Sequence, residues 1–502
     1  MTSVADVPSE RISQQPAVVS REESKTMTQR EEATDASTLS YKEQAMQKYR
    51  ARVPVNTDIH GAVRNERAFP MPAFIKPYLL SIMEDPRDYM ALELLMNVVV
   101  AVVPTLVLLF FFESHLLGAA LLVFRMYGFH TRFMLTLHAV SHRRLFKKEY
   151  HWLNLLAENG IGWVMGIPPG TYYLHHVAMH HAENNVFPTD ITSTMPYDRS
   201  SPWSLIHYVT TFYTKSIFYL PYYAWRKGRY DLLVQSLVMQ GGYHMFVLTM
   251  TFFDFKPIFT MWTCTFPLLV VGASIMSGNF SQHIFIDPQD PDGKYGNSFC
   301  FIQDPYNQKC YNDGYHTVHH AHSRLHWSEM PTHFEENIEK FAKHDVFVLT
   351  GIENKGIMWY SFTRNWAKLY EHYVQIRPGK DRSLEEFAEE CERRTKQYDT
   401  DHCLPKEHWA LPLCFFGALI PVLLSLLFFG LTPMFVGAAF GFFGNSYVML
   451  TSLCTPKTLK DQKAPKWVGK EEAQAAGSEG ERETAEPSSD EESDSEQHKK
   501  KA

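Results

Sequence analysis

Four of the seven residues from His175 to His181 are histidine, in a chain whose middle is rich in Leu, Phe and Val. Of 24 histidines, seven fall between His138 and His181 and five between His316 and His326. Clustered imidazoles repel one another when protonated and strand polar atoms when buried neutral. A bound metal removes both costs, because neutral imidazole is its commonest protein ligand. His138 and His142 stand one helical turn apart, on one face. His176 and His180 repeat that spacing, with His181 beside them, and His316, His319 and His320 lie at i, i+3 and i+4. Each group aims two or three nitrogens at a point. Eight nitrogens exceed the four ligands of a tetrahedral ion and suit two metals that share the groups.

Other metal chemistries can be tested on the same residues. A zinc protease needs H-E-x-x-H, with the Glu as general base, and Ala139 stands where that Glu must be. Soluble di-iron bundles use Glu-x-x-His, and no histidine here has Glu three positions before it. The donor set is histidine alone. His322 and His326, just past the third group, are expected to stay outside it.

The elements that must position these groups are apolar. Five uncharged runs, Leu94–Phe112, Leu232–Phe253, Ile258–Met276, Leu411–Phe429 and Leu431–Leu450, match the length of a membrane-spanning helix. A sixth, Leu116–Leu137, carries Arg125, His130 and Arg132 towards its end, where it would leave the bilayer and where His130 and Arg132 would meet headgroups or snorkel. Short connections pair the runs into three hairpins, which puts every long segment on one face. Arg143, Arg144, Lys147, Lys148, Arg226, Lys227 and Arg229 lie on that face and mark it as cytosolic. The expectation is an all-α polytopic membrane protein with about six spans and both termini in the cytosol. Trp203–Trp225, aromatic but with His207 and Lys215, reads as an interfacial helix. All three histidine groups fall on the cytosolic face, as a single site requires.

The remaining chain sets boundaries. Residues 1–70 read as a disordered polar tail, 71–350 as the membrane core, 351–404 as a cytosolic helical segment with a capping box at Ser383, 405–452 as the last hairpin and 453–502 as a disordered acidic tail. The terminal KKKA resembles a dilysine retrieval signal, which places the chain in the endoplasmic-reticulum membrane. A net charge of −7 excludes a nucleic-acid binder, and seven scattered cysteines indicate reduced thiols. The acidic N-terminus lacks an apolar stretch and is no cleaved signal. Asn279-Phe280-Ser281 is a glycosylation sequon that a cytosolic position would silence.

H-x3-H, H-x3-H-H and H-x2-H-H, in this order between apolar hairpins, resemble the histidine boxes of the integral-membrane fatty-acid desaturases and hydroxylases, over roughly Leu94 to Pro331. The resemblance implies two iron ions and O₂ as co-substrate. It implies His138, His142, His176, His180, His181, His316, His319 and His320 as ligands, with His283 binding directly and Asn279 through a water. His175 is an extra histidine in the second box, and spacing favours His176 over it. Among Glu183, Asn184, Asp190 and Asp313, the short polar groups beside the boxes, Glu183 and Asp313 are taken as partners of the bound imidazoles. The implied reaction is desaturation of a fatty acyl chain carried on coenzyme A or a lipid. The implied electron donor is external, cytochrome b5 with its reductase, since no His-Pro-Gly-Gly marks a fused domain. A hydroxylase of the same di-iron class and a non-catalytic metal-binding membrane protein are the alternatives. Arg226, Lys227 and Arg229 would face substrate phosphates or merely follow the charge bias of cytosolic loops.

Overall fold

The computed structural model describes residues 39–60, 71–252, 255–399 and 466–467 of the 502. The expected hairpin Leu411–Leu450 and the KKKA end lie outside them. The described chain is predominantly helical. Its strands are two short pairs: β1 (Cys300–Ile302) parallel to β2 (Val348–Thr350), and β3 (Tyr398–Asp399) antiparallel to β4 (Lys466–Trp467).

Helix α1 (Tyr41–Arg52) starts at a capping box, in which Glu43 N–H donates to Ser40 Oγ and Ser40 N–H to Glu43 Oε2. Ala45, Tyr49 and Val53 are fully buried. The expectation of a disordered tail over residues 1–70 therefore fails for residues 39–60. The segment is polar on average, but Ala45, Tyr49 and Val53 are each buried against the rest of the protein, which mean composition hides.

Helices α2 (Pro86–Phe112) and α3 form a hairpin through Glu113 and Ser114. α3 runs His115–Arg125, then one π turn at Met126–His130, then Thr131–His142. After α4 (Tyr172–His175, a π turn His176–His180, then His181–Glu183) and α5 (Pro202–Arg226), a second hairpin follows. It joins α6 (Tyr230–Gln235, a π turn Ser236–Gln240, then Gly241–Phe252) to α7 (Pro257–Gln282). Among the described residues, α2 and α7 are long and apolar enough to cross a membrane. α2 buries Leu95, Val98, Val102 and Leu109 and exposes Val100, Val107, Leu108, Phe111 and Phe112. A contiguous apolar face of this kind requires lipid or protein to cover it.

Two polar residues of α3, Arg125 and His130, are buried within the protein. Arg125 is buried and donates to the Val164 and Trp262 carbonyls. His130 is buried against Ser274 Oγ at 2.8 Å. Both tie α3 to its neighbours, so His130 neither snorkels nor meets lipid. The third histidine group sits on α8 (His316–Ala321), and α9 (Leu384–Thr395) starts with the expected capping box at Ser383.

Candidate metal centre

The three boxes meet. His138 and His142 end α3, His176, His180 and His181 lie on α4, His316, His319 and His320 on α8, and His283 caps α7. They divide into two groups. One nitrogen each from His138, His142, His176, His181 and His319 lies within 4.8 Å of all the others, and the same holds for His180, His283 and His320. His316 joins the second group through Nε2, 3.2 Å from His283 Nε2. The rings of His181 and His320 stack at 4.5 Å between the groups.

The division differs from the spacing argument for the second box. In a regular helix His176 and His180 would aim together. The chain here makes a π turn over His176–His180, whose period favours i, i+5. His176 therefore faces His181, Nε2 to Nε2 at 3.2 Å, and His180 turns to the second group. His175 is excluded: its Nε2 meets Thr192 Oγ1 at 3.2 Å.

The donors fit metal ions. His138 Nε2 lies 2.7 Å from His319 Nε2, which lies 3.0 Å from His181 Nε2. Nitrogens bound about 2.1 Å from one ion sit roughly 3 Å apart, so this crowding is what shared ligation produces. Outer hydrogen bonds set the tautomers. His180 Nδ1–H donates to Asp190 Oδ2 at 2.6 Å with both side chains fully buried, and His283 Nδ1–H donates to the Asn297 carbonyl at 2.7 Å. That leaves Nε2 of each as an inward lone pair. Nε2 of His142, His180 and His320 is buried without any hydrogen-bond partner among the described residues. Burial, then the neighbouring imidazoles, holds His176, His181, His316, His319 and His320 well below the usual histidine range, and burial takes His283 to about 3. Neutral imidazoles are the form that binds metal.

Of the two expected outer carboxylates, Asp313 takes such a position, with Oδ1 3.2 Å from His138 Nδ1 and Oδ2 accepting from Gln282. Glu183 does not. It accepts from Tyr223 OH and pairs with Lys227, both at 2.6 Å, pinning α4 to α5. Asp190 stands in its place. Burial pushes its carboxyl up, but His180 and Thr192 outweigh this and hold it at about 2. Sequence distance alone could not rank Asp190 first. Left-handed turns at Asn184 and Asn185 fold the chain back so that Asp190 returns beneath His180. Asp190→Asn is expected to weaken metal binding at the second group by roughly 10–100-fold, measured by competition with a chelator of known affinity.

Asn279 lies outside both groups. Its amide donates to Tyr208 OH at 2.7 Å, and Tyr208 in turn donates to the Thr192 carbonyl. His322 packs edge-on against His333, and His326 is bonded to Asp88, so neither belongs to the two groups. Asp85, Asp88 and His326 form a third compact cluster. It is already satisfied: Arg87 and Arg143 pair with Asp85, Trp327 donates to Asp88, and the Ser328 N–H donates to His326 Nδ1, so His326 Nε2 carries a proton. Lys227 and Arg229 are paired with Glu183 and Asp231, and Arg226 donates to Tyr222 OH.

One cleft reaches the grouped histidines and a larger cavity lies beside them. A cleft of about 370 Å³ beside Arg143, Leu325 and Trp327 leads to His138, His142 and His319. A cavity of about 690 Å³ lies among α4, α5, α6 and α7, walled by Phe212, Ile217, Leu220, Met276, Tyr172 and His175. Tyr172 packs on His176 and His175 on His180, with ring centroids 5.5 and 6.4 Å apart. The cavity thus ends one side chain short of both groups.

The fatty acid desaturase family model matches residues 113–351. No curated protein matches the chain. The matched residues run from the start of α3 past α8 and contain every histidine of the two groups, and they form a fatty acid desaturase domain within the chain.

Proposed function

We propose that the chain is a membrane-bound, O₂-dependent fatty acyl desaturase. The observation that carries this reading is the pair of imidazole groups set against the wall of a largely apolar cavity. His138, His142, His176, His181 and His319 would hold one iron, and His180, His283, His316 and His320 the other. A di-iron centre bound there supplies oxygen activation and hydrogen removal from an unactivated C–H bond. The protein's own residues do the rest. Asp190 and Asp313 orient His180 and His138. The cavity takes the acyl chain, excludes water and fixes which carbon lies nearest the histidines. The substrate is an acyl-CoA or acyl lipid, and electrons come from cytochrome b5 and its reductase. The protein resides in the endoplasmic-reticulum membrane with six spans and both termini cytosolic, α2 and α7 being two of those spans.

The same site would support hydroxylation, and the products separate the two. The full chain is expressed in a desaturase-poor host and total lipids are analysed by mass spectrometry. An acyl species lighter by two hydrogens is the expected result and locates the double bond. A species heavier by one oxygen replaces the reading with a hydroxylase. No new species, with no iron in the purified protein, overturns it in favour of a non-catalytic protein.

A further inference from the structure

The polar segment that precedes α2, outside the matched desaturase domain, grips the chain on either side of α8. Tyr49 OH donates to Glu335 Oε1 at 3.0 Å, Arg50 pairs with the same carboxylate, and Lys48 pairs with Asp381. Gln303 Nε2 donates to the Val55 carbonyl at 2.6 Å. The segment ends at Asp58, only 4% exposed, and Asp58 Oδ2 accepts from three donors: Gln303 N–H at 2.7 Å, Tyr315 OH at 3.1 Å and Asn307 Nδ2 at 3.3 Å.

Two of these donors lead directly to the third histidine box. Tyr315 is fully buried and immediately precedes His316, and its carbonyl accepts the His319 N–H at 2.9 Å. Its hydroxyl is held from the other side by Asn56 Nδ2 at 2.9 Å. Asn307 accepts the Gly314 N–H at 3.0 Å through Oδ1. Gly314 is packed so closely that a Cβ there would lie 2.0 Å from the Phe301 carbonyl oxygen. One carboxylate therefore fixes both residues ahead of His316 by independent bridges. Asp58 makes no ion pair among the described residues, and tying down a tail does not require burying a charge, which is costly. A charged acceptor able to take three donors at once does suit the setting of a backbone corner.

We infer that Asp58 is a positioning residue of the second histidine group, acting through Tyr315 and Asn307, and that residues 41–58 are a strap on which the geometry of α8 depends. This rests on the metal-centre reading above. His316 and His320, the first and fifth residues of α8, both serve the second group, whereas the first group takes only His319 from α8 and four ligands from α3 and α4. Loosening the corner should therefore damage one site selectively.

The test uses the full-length chain, stripped of metal and titrated with Co²⁺, with the visible bands of the bound ion and the melting temperature of the stripped protein as readouts. Asp58→Asn and Tyr315→Phe are expected to weaken one of two Co²⁺ sites by about ten-fold or more and to alter its bands, leaving the other site unchanged. Lys48→Ala loosens the strap away from α8 and is expected to lower the melting temperature without altering either site. If Asp58→Asn fails to fold, Tyr315→Phe, which removes only the hydroxyl and its bonds to Asp58 and Asn56, decides. Equal weakening of both sites, or a change in melting temperature alone, overturns the inference and leaves the strap merely structural. A wild-type chain that binds no Co²⁺ and no iron overturns the metal-centre reading itself, and this inference with it.

Discussion

The variant His316→Ala, His320→Ala is expected to form no acyl product and to hold about one metal ion fewer per chain than the wild type. The reason is the split of the donors. These two residues supply half of the second group and none of the first, whose closest nitrogens come from His138, His181 and His319. Two imidazoles, His180 and His283, are too few to retain an ion against water, since even loss of an outer hydrogen bond costs roughly 10–100-fold in affinity. The same change should not unfold the metal-free protein. His316 Nδ1 and both nitrogens of His320 are buried with no hydrogen-bond partner among the described residues, so their removal relieves polar atoms that burial penalises. The melting temperature of the stripped variant is expected to equal or exceed that of the stripped wild type. Metal analysis, lipid mass spectrometry and melting together check the prediction. Full product formation by this variant would remove the second group from the chemistry.

Removing the metals is expected to have the largest effect on stability. An ion bound only by the folded chain stabilises it by about 4 kcal/mol when its concentration is a thousand times its dissociation constant, and two sites double this. Chelation should therefore lower the melting temperature steeply, and added Fe²⁺ should restore it. Acid adds to the loss. His283 sits at about 3 when folded, against an ordinary value near 6.5, and His176, His181, His316, His319 and His320 are depressed in the same direction by burial. Below about pH 6.5 the unfolded chain takes up protons that the folded chain refuses, so stability falls as pH falls from there towards 3. Protonation also removes the lone pairs that bind metal, so the holo protein follows the same direction. Melting curves of stripped and iron-loaded protein between pH 8 and pH 5 check both effects. A stripped protein that grew more stable in acid would contradict the burial of these rings.

Much of this centre is readable without a structure, because metal chemistry is written in residue type. His138, His142, His176, His180, His181, His316, His319 and His320 announce themselves by density and helical spacing, and the apolar runs that become α2 and α7 are legible as long helices. What the linear pattern cannot encode is rotation and return. A single π turn at His176–His180 sends neighbouring ligands to different groups, because it changes the helical period by one residue where sequence reading assumes a constant one. Two left-handed asparagines bring Asp190 under His180 and leave Glu183, nearer in sequence, bound to Tyr223 and Lys227. Spacing favours His176 over His175, and the folded chain adds the reason: Thr192 takes the His175 nitrogen. The N-terminal segment reads as tail because its composition is polar, yet Tyr49 and Asp58 find partners roughly 250 residues or more away, at Glu335 and Tyr315. Residue chemistry is local and survives in the sequence. Which donor meets which acceptor depends on backbone direction and long-range packing, and only the folded chain decides that.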